Sequence, residues 1–381
     1  MRRLTLLFVL ASAAFLASSS RAASPIPTNP DHERAQALVR QLGDRSYKTR
    51  EQASRDLLRI GRSARGALLQ GTRHDDPEIR TRCRNLLLTI LDLDLKARIE
   101  AFLADPGGAI HDLPGWERFR SVTGDSRSSR ELFAMMLHAD ARLMESSEIN
   151  PRSAADLLAS RCAVIQQNLY TGSRVPPSLG DVLNVLFVGS DVRMNVAPIT
   201  IQMTYQFLFQ PSFRNSLHTG EQGELVKKLL LHWVERHRGE PTTSHNLLST
   251  ATILQLRELL PAAVAIAGDP KLAVHTRATA LTVIGRLGDK RHIADLSPVL
   301  TEKTQIGNFN FNNASGTTQL RDVALAMMIK LSGQEPQSYG YEALRSNPGL
   351  LYSYYYLGFP SDAKRDAAFQ KWAASQAAGP K

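Results

Sequence analysis

The residues best spaced for chemistry are His232, Glu235 and His237, in the run His232-Trp233-Val234-Glu235-Arg236-His237. An inverted zinc-peptidase motif needs His-x-x-Glu-His, so that both imidazoles face one metal. Here Arg236 takes the second ligand's place, and His237 lies roughly 140 degrees around a helix from His232. That spacing does not build a zinc site. There is also no Gly-x-Ser-x-Gly elbow, no phosphate loop ending in Gly-Lys-Ser/Thr, no Gly-x-Gly-x-x-Gly fingerprint and no Cys-x-x-Cys pair. His138, Asp140 and Glu145 share one helix, and Asp181 and Asp191 flank an apolar run. Scattered carboxylates of this kind are expected to face solvent. No catalytic residue, metal ligand or cofactor is assigned.

What remains is binding chemistry, and it is cationic. The chain of 381 residues carries 46 Lys and Arg against 36 Asp and Glu, a formal net charge of +10. Residues 40–84 hold twelve of the basic residues and six of the acidic ones, a surplus of +6. Arg50, Arg55, Arg59, Arg80, Arg82 and Arg84 are the candidate partner-binding residues of this segment. Guanidinium groups so concentrated suit an acidic protein, an anionic envelope polymer or nucleic acid, although a solvated helix face is the plainer reading. Only Tyr47 interleaves with them, which disfavours single-stranded nucleic acid. A second candidate surface is Phe309, Asn310 and Phe311. They sit in Lys303–Gly316, a stretch too rich in Gly and Asn to continue a helix and read here as a loop. Such a loop either projects from one edge to bind, or tucks its phenylalanines back onto the helices.

The arginines are positioned by a pattern that appears twice at a spacing of thirty. Arg50, Ala53, Leu57 and Ile60 align with Arg80, Cys83, Leu87 and Ile90. The small and apolar residues recur at helical spacing, so each copy is an amphipathic helix with a basic outer side. Asp44 with Ser46, and Asp76-Pro77-Glu78, are helix starts. Ile60-Gly61-Arg62-Ser63-Ala64 is a break before a second short helix at Ala67-Leu68-Leu69. A unit of this size must stack on a neighbour to bury its apolar face. Cys83 stands where the first copy has Ala53, which favours a small buried residue over a disulfide with Cys162, although an oxidising compartment would allow the bond.

Asp76-Pro77-Glu78-Ile79-Arg80 and Ile60-Gly61 resemble the Asp-Pro-x-Val-Arg and Leu-Gly positions of bacterial HEAT repeats. Asp44 and Arg50 match the family's recurrent Asp and Arg, which in HEAT arrays tend to bond between units; His74 replaces that Asp in the second copy. Further copies begin at Asp269-Pro270, running through Arg277, Ala280, Ile284 and Leu287-Gly288-Asp289, and at Leu320–Ala326. The resemblance covers a third to two fifths of the chain. It implies an all-α superhelix, an α-solenoid of HEAT-like or armadillo type, and leaves the activity open because such repeats serve many partners.

Along the chain, Arg2 and Arg3 precede the apolar run Leu4–Leu16 and a Ser20-Arg21-Ala22 cleavage signal. This predicts a signal peptide of residues 1–22, cut after Ala22 or alternatively Ala23. The apolar run is too short for the roughly 20 residues of a spanning helix. Without Arg2, Arg3 and Arg21 the formal charge falls from +10 to +7. The expected protein is exported, to the periplasm or beyond, with no anchor after cleavage. A linker over 23–32 and N-terminal repeats over 33–94 follow. A divergent helical segment spans 95–268, with helices at Lys96–Leu103, Ser129–Met144, Ala154–Tyr170, Glu221–His237 and Leu247–Ala267, the last interrupted at Pro261. Val196–Phe209 also reads as helix; Gly172–Pro177 and Pro211–Gly220 read as loops. Trp116, Phe119 and Phe133 form an aromatic group that either packs a helix corner or makes a surface hot spot. C-terminal repeats occupy 269–335. The tyrosine-rich segment Tyr339–Tyr356 is expected to cap the last repeat or to offer a ligand surface. A final helix begins at Ser361. The function expected is a non-catalytic scaffold for a protein partner in the cell envelope; alternatives are an enzyme site in the middle segment and a basic face for an anionic polymer or nucleic acid.

Overall fold

The computed structural model describes residues 30–104, 113–170, 175–238, 243–311 and 314–377. The expected signal peptide and most of the linker lie outside these residues, as do the start of the Gly172–Pro177 loop and Asn312-Asn313. The fold is predominantly α-helical, and it divides into two compact units between Glu100 and Ala101.

The first unit contains α1 (Pro30–Gln41), α2 (Tyr47–Ile60), α3 (Arg65–Gly71) and α4 (Pro77–Ala104), with one 3-10 turn at Gly61–Ala64. Ser46 caps α2 through the Thr49 amide, and Asp76 accepts the Glu78 amide at the start of α4. Both starts were marked in the sequence. Ala35, Val39, Ala53, Leu57, Ala67, Leu68, Ile79, Cys83 and Ile90 form one core. Ala53 and Cys83, the equivalent residues of the two copies, are both fully buried in it. Cys83 is a free thiol that burial pushes up to about 11, so it is protonated and inert at neutral pH. Lys96–Leu103, expected as a helix of its own beyond residue 94, is the continuation of α4, which runs without interruption.

The second unit begins with the last residues of α4. It continues through α5 (Trp116–Thr123), α6 (Arg127–Ile149), α7 (Pro151–Tyr170), α8 (Leu179–Gly189), α9 (Pro198–Phe207), α10 (Pro211–Ser216) and α11 (Gly220–His237). Then come α12 (Thr243–Ile253), α13 (Leu260–Gly268), α14 (Val274–Leu287), α15 (Ile293–Leu296), α16 (Leu320–Leu331) and α17 (Asp362–Ala377). The Val196–Phe209 stretch is helical, as α9. The long helix expected from Leu247 instead ends at Ile253; Pro261 opens α13, where its missing amide hydrogen matters least. Pro211–Gly220 contains the short helix α10 rather than only a loop.

The aromatic group is core. Phe102, Trp116, Phe119, Phe133 and Phe187 pack in edge-to-face, tilted and stacked pairs, with Phe102 and Trp116 centroids 4.7 Å apart, and the buried Arg130 guanidinium lies over two of these rings. Midway along α6 the helix kinks at Asp140 (φ −162, ψ 81). Asn184, buried on α8, donates to the Met136 and Asp140 carbonyls there, and the Asp140 carboxylate restarts the helix at the Leu143 amide. The polar groups released by the kink are thereby satisfied.

Lys303–Gly316 is not an irregular loop. Strands β1 (Gln305–Phe311) and β2 (Ala314–Gln319) pair antiparallel, with Phe309 opposite Gly316. Thr317 exchanges two backbone hydrogen bonds with Phe359, so the chain beyond the tyrosines adds a third rung. The second, minimal pair is β3 (Ser346–Asn347) with β4 (Leu351–Tyr352). Among the tyrosines, Tyr339, Tyr341 and Tyr352 are buried, and Tyr339 meets Trp372 of α17.

Holding the far end together is a buried ion pair. Arg365 of α17 donates from Nε to both carboxylate oxygens of Asp322 at 2.9 and 3.1 Å, and from Nη2 to the Thr317 carbonyl. Asp322 in turn accepts the Gln319 amide at the start of α16, and the Tyr341 hydroxyl donates to its carbonyl. Burial pushes the Asp322 carboxyl up to about 6 against the pull of Arg365.

Candidate functional site

The six candidate arginines of the first unit separate into two groups. Arg50 donates to the carbonyls of Asp44 and Arg45, and Arg80 donates to those of His74 and Asp75, at 2.7–3.2 Å. Each therefore fastens the turn before its own helix, six and five residues upstream. The acceptors are backbone atoms, which explains why His74 can replace the repeat's aspartate. Its side chain does the same local work: the Asp44 carboxylate accepts the Ser46 amide at 2.7 Å, and His74 Nδ1 accepts the Asp76 amide at 3.0 Å. The link between α4 and α2 runs instead through Arg82, which bonds Glu78 on its own helix and reaches Glu51 of α2 at 2.9 Å. The bond to Glu78 is the main reason its pKa is raised. Arg50 with Glu78 adds a longer pair between α2 and α4, and Arg62 with Asp94 ties the 3-10 turn to α4.

The second group faces water. Arg55, Arg59 and Arg84 are exposed. Arg55 bonds Gln52 and Arg59 bonds Asp56, each one turn back on α2. Arg84 has no side-chain partner among the described residues. Beyond it, at i+4 and i+7 on α4, come Leu88 and Leu91, and Leu88 is 68% exposed. A cation followed by two uncovered leucines thus runs along one side of α4.

At the hairpin, Phe309 is buried and contributes to the core. Asn310 is exposed on the opposite face of β1, while Phe311 is half-buried against Tyr356, 5.4 Å between centroids, under the Arg345 guanidinium. Of the three residues expected to bind a partner here, Asn310 alone is fully open to solvent.

The remaining polar candidates are engaged in holding the second unit together. His237 is buried with Nε2 2.9 Å from the Gly189 carbonyl, whereas His232 is exposed. Asp181 and Asp191 do not face solvent as expected. Asp181 forms a reciprocal cap with Ser178 and pairs with Arg161; Asp191 is buried and pairs with Arg193 and Arg118. Burial opposes the charge on Asp191, but the Arg193 bonds and nearby Arg118 outweigh it and hold the carboxyl below its ordinary 3.8. Cys162 is a free, buried thiol pushed up to about 12 by burial. Among the described residues no helix is long and apolar enough to cross a membrane, and no cluster of three or more His, Cys, Asp or Glu side chains could hold a metal.

Sequence reasoning missed a cavity of about 400 Å³ between α12, α14 and the turn at 349–354. The available signal was the spacing of His245, Leu248, Ser249, Thr252 and Ile253, which share one side of a helix. No protein-family model matches the chain, and no significant match emerges among characterised proteins or solved structures.

Proposed function

We propose that the protein is an exported, non-catalytic scaffold, a right-handed superhelix of HEAT-like pairs around a divergent helical middle, that docks an acidic protein in the cell envelope. The observation that carries this reading is the α4 stripe of Arg84, Leu88 and Leu91, in a unit that also exposes Arg55 and Arg59 on α2. Guanidinium groups next to uncovered leucines suit a protein surface that supplies both carboxylates and an apolar ridge. An anionic polymer would satisfy the arginines and leave Leu88 in water. The interleaved Asp56 and Glu78 weaken the continuous positive face that nucleic acid requires. For the enzyme alternative, Asp140, Asp181 and Asp191 of the middle segment are already committed to ion pairs.

The test compares the full chain with an Arg84→Glu, Leu88→Asp variant, each immobilised and exposed to native envelope extract, with retained proteins read by mass spectrometry. The expected result is a defined acidic protein kept by the unaltered chain, lost from the variant and released by salt. Equal retention by both chains would remove α4 as the docking face. Loss on deleting Asn308–Ser315 instead would move the site to the hairpin.

A further inference from the structure

The cavity in the second unit has three walls. α12 supplies His245, Leu248, Ser249, Thr252 and Ile253; α14 supplies His275, Thr276 and Thr279; Gly349, Leu350 and Tyr354 close the third side. Its volume of about 400 Å³ falls within the roughly 300–1,000 Å³ typical of small-molecule sites. Apolar atoms dominate the lining, and no Asp, Glu, Lys or Arg contributes to it.

The polar groups at the walls differ in what they have left to offer. Thr252 and Thr279 already donate to carbonyls one turn back on their own helices, at 2.8 and 2.9 Å. Burial, with Tyr355 adjoining, pushes the Tyr354 hydroxyl up to about 12, so it keeps its proton. His275 Nδ1 lies 3.4 Å from the Tyr355 hydroxyl. Ser249, Thr276 and His245 have no side-chain hydrogen-bond partner among the described residues. Two hydroxyls and an imidazole from two different helices are therefore available around an apolar space.

We propose that this cavity binds a neutral small molecule with an aromatic or alicyclic body and one or two hydroxyl or carbonyl groups. Leu248, Ile253, Leu350 and the Tyr354 ring contact the body, while Ser249, Thr276 and His245 bond the polar groups. A charged ligand is disfavoured because no wall residue carries an opposite full charge to replace its lost hydration. The site lies within the second unit and is independent of the docking face on α4.

The test is a fluorescence titration of the full chain with N-phenylnaphthylamine, a neutral aromatic probe of suitable size. Saturation at a single site is expected. Ser249→Phe and Thr276→Phe, which fill the cavity from different helices, should each weaken binding by at least about tenfold, the loss expected when the bound body's space is taken. Far-ultraviolet circular dichroism and melting establish that each variant is folded, and Gln376→Phe, at the exposed end of α17, should bind like the unaltered chain. Absence of saturable binding, or binding unchanged in either folded cavity variant, overturns the proposal.

Discussion

Arg80, in the first unit, reaches back six residues to the carbonyl of His74; Arg365, in the second, reaches back 43 residues to the carboxylate of Asp322. The first bond is local, half-exposed and made to backbone. The second is fully buried and made between full charges. A guanidinium at a solvent-washed turn can be lost without leaving an ion in the core, whereas Arg365 neutralises a carboxylate that has no access to water. The difference teaches that the first unit fastens its turns with local contacts to backbone, whereas the second also depends on a buried pair of full charges brought together from far apart in the chain.

The strongest way to break that comparison is Arg365→Met. Removing one partner of a buried pair is expected to cost about 3–5 kcal/mol in urea unfolding at pH 8. The loss should shrink towards pH 5, because the orphaned Asp322 takes up a proton in the folded state; its carboxyl already sits near 6 with Arg365 present. A loss below about 1 kcal/mol at pH 8 would place this pair with ordinary surface contacts.

Asp191→Asn gives an intermediate effect that also shrinks as pH falls, but in a lower pH window. The Asp191 carboxyl is held below its ordinary 3.8, so the stability it supplies is fully present above that value and disappears as pH falls through its lower folded value. The variant should be less stable by about 1–3 kcal/mol at pH 7. It should converge with the unaltered chain as both are titrated well below the ordinary carboxylate value. A difference that stays constant with pH would assign the loss to packing.

The smallest effect sharpens the local side of the comparison. His74→Asp restores the residue found at Asp44 and should change stability by less than about 0.5 kcal/mol, whereas His74→Ala removes the acceptor of the Asp76 amide and should cost about 0.5–1.5 kcal/mol. Both are read by urea unfolding. If the alanine variant is the equal of the aspartate one, the turn is held by Arg80 alone.

The same contrast decides what was legible in the sequence. The repeat helices, their caps and the equivalence of Ala53 with Cys83 could be read because their partners lie within a turn or at the repeat interval. The helix α9 was legible for a similar reason, since its neighbours are helical on both sides. The pairing of Asp181 and the burial of Asp191 were not, because they depend on Arg161 of α7 and Arg118 of α5 arriving from other elements. The hairpin was misread because Gly and Asn outnumber its apolar residues, although Phe309 and Phe311 alternate with Asn310 as a strand requires. The six arginines looked alike in sequence, and only packing separates the turn-fasteners Arg50 and Arg80 from the exposed Arg55, Arg59 and Arg84. The cavity was illegible because its third wall comes from residues about seventy or more positions further along the chain.

The position of Arg365, 43 residues after its partner Asp322, also bears on the order in which the protein can mature. During synthesis each turn-fastening arginine of the first unit follows its acceptors within six residues, so each repeat can set its own turns as it emerges. Asp322 must wait for α17, with the hairpin rung at Thr317 and the Tyr341 hydroxyl bond gathered around the same point. A nascent chain halted before Arg365 would therefore carry its first unit complete and its last core unsealed, and loss of α17 would be sensed as far away in sequence as α16.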